Sequence, residues 1–125
     1  MALQIAGKLH LAGTLCVEMF VAGQEILVNQ IATRPHNSGH YSIEACNFSQ
    51  FDTHIQGILG QPLPPIRLLS PAVMINVLGQ DMEAAQAFSQ ENPNAYLHFY
   101  GKLEAKHNRK MGHVTVLTDD VEVEL

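Results

Sequence analysis

Two strand-like runs, Leu15-Cys-Val-Glu-Met-Phe-Val21 and Glu25-Ile-Leu-Val-Asn-Gln-Ile31, flank the short link Ala22-Gly-Gln24. Apolar runs of this kind around a glycine-containing turn have one local solution, an antiparallel hairpin. Its register is open. A three-residue loop at 22–24 puts Glu18 opposite Val28, with Gln30 diagonal on the same face, roughly 7–8 Å away. A two-residue loop shifts the pairing by one and turns Gln30 to the other face. The second strand leads straight into Arg34-Pro-His-Asn-Ser-Gly-His40, a loop dense in hydrogen-bonding side chains. Rigid scaffolds place binding and catalytic groups on such loops; a solvated polar turn is the competing reading.

The rest of the chain reads as short elements joined by turns. Residues 3–12 follow a helical period, with Gly13 as a left-handed stop. Ser49 caps a helix over 50–59 that carries Phe51, Ile55, Ile58 and Leu59 as an apolar stripe and ends at Gly60. Gln61-Pro-Leu-Pro-Pro65 can be neither helix nor central strand, so it divides residues 1–62 from 63–125. Beyond it, 72–78 reads as a buried strand closed by Gly79, 81–90 as a short helix, and 95–100 and 111–117 as further strands. An acidic tail begins at Asp119. Strands that follow one another through turns predict an α+β fold with mostly antiparallel sheet.

With 125 residues, 46% of them apolar, the chain has enough material for one sizeable core or one lobe of something larger. A net charge of −5 gives no general attraction to nucleic acid or anionic membrane, so any anion site is local. Cys16 and Cys46 lack metal-type spacing and are expected as buried free thiols in the reducing cytoplasm. No run is long and apolar enough to span a bilayer, and residues 2–13, with Lys8 and His10, lack the basic start of a signal peptide.

Candidate chemistry lies in three places. Glu18 is the only acid in its strand, either an exposed hairpin residue or a ligand for a hard cation that also meets phosphate oxygens. Gln30 offers such an ion an amide oxygen without charge. Arg34 precedes Pro35, which holds it extended and lets its guanidinium fork present paired donors to a carboxylate or phosphate. His36 and His40 are interrupted by Asn37-Ser38-Gly39, so helical zinc-ligand spacing does not apply; hydrogen bonding to a substrate or orienting neighbours suits them better. The third place is the basic loop 102–110, where Lys102, Lys106, Arg109 and Lys110 suit a phosphate monoester.

The string Val28-Asn-Gln-Ile-Ala-Thr-Arg-Pro-His-Asn-Ser-Gly-His-Tyr-Ser-Ile-Glu-Ala-Cys46, with Ser49-Gln-Phe51, Leu68-Leu-Ser-Pro-Ala-Val-Met-Ile-Asn76 and Arg109-Lys-Met-Gly-His-Val114, resembles the 5-(carboxyamino)imidazole ribonucleotide synthase family of ATP-grasp ligases. The resemblance covers nearly the whole chain. It implies the second half of an ATP-grasp core followed by a small β-rich C-terminal domain. It also implies ATP and Mg²⁺ as cofactors, and bicarbonate and aminoimidazole ribonucleotide as substrates, with carboxyphosphate formed on the way to the N-carboxyamino product. By position, Glu18 and Gln30 would hold Mg²⁺, and Asn29 with Gln30 would meet ATP. Arg34, His36 and Asn37 would act at the reacting phosphate, while Ser38, Lys102, Arg109 and Lys110 would bind the ribonucleotide. A homodimer is implied as well.

Two departures matter. The family pattern Asn-Glu-Ile-Ala-Pro-Arg reads Asn29-Gln-Ile-Ala-Thr-Arg34 here, which replaces the second metal carboxylate with an amide. Its Arg-Pro-Gly before Arg109 reads Lys106-His-Asn108. The family's N-terminal and nucleotide-clasping domains have no counterpart in the chain, so half a site, inactive alone, is the first expectation. A non-catalytic binding or interaction module on the same scaffold is the second.

Overall fold

A computed structural model describes residues 1–119; the residues of the acidic tail beyond Asp119 lie outside the described part. The chain divides into two compact units, Met1–Ile43 with Phe48–Arg67, and Glu44–Asn47 with Leu68–Leu125.

The first unit begins with α1 (Ala2–Lys8). This helix stops earlier than its period suggests, because His10 takes the left-handed conformation at φ 48°. Leu11 N–H then bonds Ala6 O at 3.0 Å and His10 N–H bonds Gly7 O at 3.2 Å, the paired closure that satisfies the last carbonyls of a helix. Gly13 is therefore not the stop. Its φ of 105° lets the chain pass close to a later helix, where a Cβ would stand 2.6 Å from His54 Nδ1.

Strands β1 (Cys16–Ala22) and β2 (Glu25–Ala32) form the expected hairpin. Ala22 pairs with Glu25 across a two-residue turn, and the register shifts between Glu18 and Met19. Met19 faces Val28 and Glu18 faces Gln30, leaving Asn29 as the extra residue of a β-bulge. The three-residue loop, with Glu18 opposite Val28, is thus overturned, and so is the consequence drawn from the two-residue loop. The turn has two residues, yet the bulge returns Gln30 to the face of Glu18.

After a 3₁₀ turn at Asn37–Gly39 comes α2 (Ser42–Ala45), a single turn too short to leave a periodic signal in the sequence. Then α3 (Gln50–Ile58) starts at Ser49 with a reciprocal cap. Asp52 N–H donates to Ser49 Oγ at 3.2 Å, while the Ser49 N–H and hydroxyl donate to Asp52 Oδ2 at 2.8 and 2.7 Å. Those bonds hold the Asp52 carboxyl below its ordinary pKa, the side-chain bond contributing most. Gly60, at φ 65°, closes the helix as its sequence predicted. The buried residues of this unit are serines, Ser42 and Ser49, whereas Phe20, Val21, Ile26, Leu27 and the α3 stripe Phe51, Ile55, Ile58, Leu59 are exposed.

The second unit holds β3 (Ala72–Leu78), α4 (Met82–Glu91), β4 (Ala95–Phe99) and β5 (Lys110–Leu117). The sheet order is β3-β5-β4, antiparallel throughout. Lys110–Leu117 is central, which explains why it is the most buried strand. β3 lies at an edge, so its apolar run is not the buried strand expected: Val77 is buried, but Val73 and Ile75 are exposed. Val77, Ala95 and Val114 form the core, packed by Met82, Ala85, Leu97 and Val116. Glu44–Asn47 joins this unit through Cys46 bridging Leu68, and through Leu69 N–H bonded to Ala45 O at 2.7 Å. Partial burial pushes the Cys46 thiol pKa up; both cysteines are free thiols, but half-buried rather than buried as expected. Among the described residues, no helix is long and apolar enough to cross a membrane.

Candidate functional site

The bulge gathers the polar residues of the hairpin. A bulge points two consecutive side chains toward one partner, and here Asn29 Nδ2 donates to Glu18 Oε2 at 3.1 Å while Gln30 pairs directly opposite Glu18. From the loop, His36 Nε2 reaches Glu18 Oε1 at 3.2 Å and Gln30 Nε2 at 3.3 Å. Its other ring nitrogen, Nδ1, lies 2.9 Å from Ser38 Oγ and accepts from the Ser38 N–H at 3.4 Å. An accepting Nδ1 places the ring proton on Nε2, where it is donated to the carboxylate. With the proton on Nε2, the Gln30 amide nitrogen 3.3 Å away is a second donor beside it, so the carboxylate of Glu18 is the acceptor of that N–H. Ser38 Oγ also lies 3.8 Å from Cys16 Sγ. The result is a continuous line, carboxylate to imidazole to hydroxyl, along one side of the hairpin.

The loop is held by Gln50, a residue that sequence reasoning passed over. Its Oε1 accepts from His36 N–H at 2.9 Å, and its Nε2 donates to His36 O at 2.8 Å and lies 2.7 Å from His40 Nδ1. Gly39 makes room for it, since a Cβ there would sit 2.6 Å from Gln50 Oε1. Ser42 Oγ donates to Gly39 O at 2.5 Å and accepts from Gln50 N–H at 2.9 Å. His40 stacks on Phe51, ring centroids 5.5 Å apart. Nothing local marks Gln50; a glutamine that opens a helix has no signature until the loop folds onto it.

The structure thus brings Glu18, Asn29, Gln30, His36 and Ser38 together. Asn37 lies in the 3₁₀ turn between the last two. Arg34 is exposed, and its Nη1 donates to the carbonyl of Pro35 at 3.1 Å. Lys102, Arg109 and Lys110 belong to the second unit. There the Lys102 ammonium donates to the Lys110 carbonyl, and Arg109 Nη1 donates to Glu104 O at 3.2 Å. Gly79 lets this basic loop approach, because a Cβ would collide with Lys106 O.

Among the described residues, no three His, Cys, Asp or Glu side chains gather as a metal-binding group. Magnesium requires less: one or two carboxylates, the remaining positions being filled by substrate phosphates and water. Glu18 supplies one carboxylate, and the Asn29 and Gln30 amides beside it can turn neutral oxygens inward. The donor set fits a hard cation carried in on phosphates and held by a single protein charge.

The bulged hairpin with its polar loop, and the antiparallel sheet after them, each fall within a stretch that matches a known domain family. Residues 1–51 match the ATP-grasp domain and residues 72–124 match the phosphoribosylaminoimidazole carboxylase C-terminal domain. Within that class the relatives are N5-carboxyaminoimidazole ribonucleotide synthases. The enzyme of Staphylococcus aureus strain COL is 55% identical over 120 residues, which cover 94% of this chain and 32% of the relative. The S. aureus N5-carboxyaminoimidazole synthetase solved with ADP superposes with a TM-score of 0.86 at 55% identity, covering 94% of this chain and 32% of that one. The Aspergillus clavatus N5-carboxyaminoimidazole synthase, solved with ADP and 5-aminoimidazole ribonucleotide, gives 0.78 at 41% identity, covering 86% and 31%. The chain therefore spans about a third of the length of the curated relatives it matches. The α+β, antiparallel fold is that of these relatives.

Proposed function

We propose that this chain supplies the C-terminal part of an ATP-dependent ligase of purine biosynthesis. The ligase joins bicarbonate to the amine of aminoimidazole ribonucleotide and releases ADP and phosphate. Residues 1–62 form the second half of the ATP-grasp core and residues 63–125 the small β-rich domain. The assembled enzyme is a cytoplasmic homodimer. The observation that carries this reading is the cluster of Glu18, Asn29, Gln30, His36 and Ser38 on one side of the bulged hairpin, in a chain 55% identical to such a synthase.

In this reading Glu18 and Gln30 hold Mg²⁺, which supplies neutralisation of phosphate charge when bound, and Asn29 and Gln30 meet ATP. Arg34, exposed and steadied by the Pro35 carbonyl, takes the reacting phosphate. His36 keeps its proton on the nitrogen that faces Glu18, and through Nδ1 it aims the Ser38 hydroxyl at the ribonucleotide. Asn37 flanks the same phosphate. Lys102, Arg109 and Lys110 bind the ribonucleotide 5′-phosphate.

Phosphoryl transfer depends on groups that position the nucleotide from both sides. The chain alone, mixed with ATP, bicarbonate and aminoimidazole ribonucleotide, is therefore expected to release no phosphate. Addition of the first two thirds of the S. aureus synthase as a separate polypeptide is expected to restore ribonucleotide-dependent release. Robust release by the chain alone, or none from the pair when each is folded, overturns the reading. One observation favours a second reading, a non-catalytic interaction module: Gln30 stands opposite Glu18 where the family pattern carries a second carboxylate. In that case Gln30→Glu gains no affinity for Mg²⁺ or nucleotide.

A further inference from the structure

Across the sheet of the second unit runs a connected line of side chains, Glu44 to Tyr100, that the proposed reaction does not use and that ends on Lys102, which it does. It starts at Glu44, whose side chain is 8% exposed and whose Oε1 lies 2.6 Å from His98 Nε2. His98 on β4 pairs in register with His113 on β5, and the two rings stack with centroids 4.8 Å apart and planes 19° from parallel. His113 is 2% exposed. Its Nδ1 lies 3.0 Å from the hydroxyl of Tyr100, and the Tyr100 ring carries the Lys102 ammonium at 5.5 Å from its centroid. The same ammonium donates to the carbonyl of Lys110, the residue after Arg109.

We propose that Tyr100 and His113 are positioning residues that hold the Lys102 ammonium in place for a phosphate monoester bound by the basic loop. The proposal rests on the phosphate role given above to Lys102, Arg109 and Lys110. A free lysine side chain explores many rotamers, and a ligand that must order it loses affinity in doing so. A ring contact with an exposed ammonium is weak by itself, and it positions the ammonium only if the ring is fixed. Here the hydroxyl fixes the ring to a buried imidazole, the imidazole is stacked on a second, and a buried carboxylate orients the second. Every link but the ammonium's own is partly or wholly out of water, where hydrogen bonds are stronger and geometry is better defined. The Lys110 carbonyl sets the other limit on the ammonium, at a backbone position next in sequence to Arg109. Lys106, by contrast, is tied to Glu104 in an exposed ion pair at 3.1 Å and lies outside this line.

The test uses the full chain with ¹³C-labelled lysine and ribose 5-phosphate as probe. In the wild-type protein the Lys102 ε-methylene resonance is expected upfield of those of Lys8, Lys106 and Lys110, shifted by the Tyr100 ring. Tyr100→Phe keeps the ring and removes only the bond to His113. It is expected to move that resonance toward the other lysines and to weaken ribose 5-phosphate binding about three- to fivefold, with Lys102→Ala weakening it further. If Lys102 resonates identically in the wild type and Tyr100→Phe while Lys102→Ala still loses the probe, positioning is overturned and the phosphate role stands. If ribose 5-phosphate does not bind, or binds equally to Lys102→Ala, the phosphate role itself is overturned, and this proposal with it.

Discussion

Changing Gln30 to glutamate isolates the charge question at the hairpin, since the two side chains have the same shape. Gln30 pairs directly with Glu18, and both side chains meet His36 Nε2, at 3.3 and 3.2 Å. Two carboxylates there would stand roughly 5 Å apart. At that distance like charges repel by about 1 kcal/mol in water and about 3 kcal/mol at an effective dielectric constant near 20. Glu18 is 35% exposed on its side chain and His36 can donate between the two, so the lower figure applies. Without metal, Gln30→Glu is expected to lower stability by about 1 kcal/mol, a fall in Tm of about 4 °C. With a divalent cation the sign reverses. One added negative charge about 4 Å from a double positive charge gains about 2 kcal/mol even in water, or about 30-fold in affinity. Thermal melts in EDTA and in MgCl₂, with calorimetric titration of Mg²⁺, read both halves. Equal stability in EDTA together with less than a threefold gain in Mg²⁺ affinity would refute the claim that these side chains share a cation-sized space.

Ser49→Ala removes the α3 cap and should cost about 1 kcal/mol in denaturant unfolding. Because the Asp52 pKa is lowered in the folded state, its contribution is present above the ordinary carboxylate pKa and lost as pH falls through the lowered value. The stability gap between wild type and Ser49→Ala should therefore narrow in acid. Gly79→Ala drives a methyl group into the Lys106 carbonyl; a loss of about 1–3 kcal/mol is expected, along with altered amide shifts across 104–108, and a neutral outcome would contradict the close approach. Gln50→Leu leaves His36 N–H without its partner and removes one of two donors to its C=O, which keeps Gly39 N–H at 2.9 Å. It should cost about 2 kcal/mol and speed amide hydrogen exchange at His36, whereas unchanged exchange there would show that Gln50 is not the clamp.

Periodicity and punctuation carry the local elements. The hairpin runs, the Ser49 cap, the Gly60 stop and the alternating strand ending at Phe99 each follow from residues within a few positions of one another. The α1 stop was misplaced because histidine can take the left-handed conformation that glycine advertises more plainly. The apolar run 72–78 suggested burial, yet strand order left it at an edge, and order is set by the partner strand 110–117 rather than by the run itself. The candidate residues were legible one by one from the family-like string. One of the two registers considered also put Glu18 and Gln30 on one face, but the bulge that brings them together and the place of His36 and Ser38 beside them were not legible.

The amino-acid order alone determined that a hairpin leads into a polar loop, that a capped helix follows, and that a basic loop precedes the last strand, because each depends on short-range sterics and hydrogen bonding. Tertiary structure alone decided that Asn29 bulges and returns Gln30 to Glu18. It also decided that Gln50 fastens His36 and that Glu44, His98 and His113 form one line. Each of these is a contact between residues far apart in the chain, fixed by strand register and by which surface a helix closes upon. Such choices are energetic outcomes of the whole packed unit, and no local pattern encodes them.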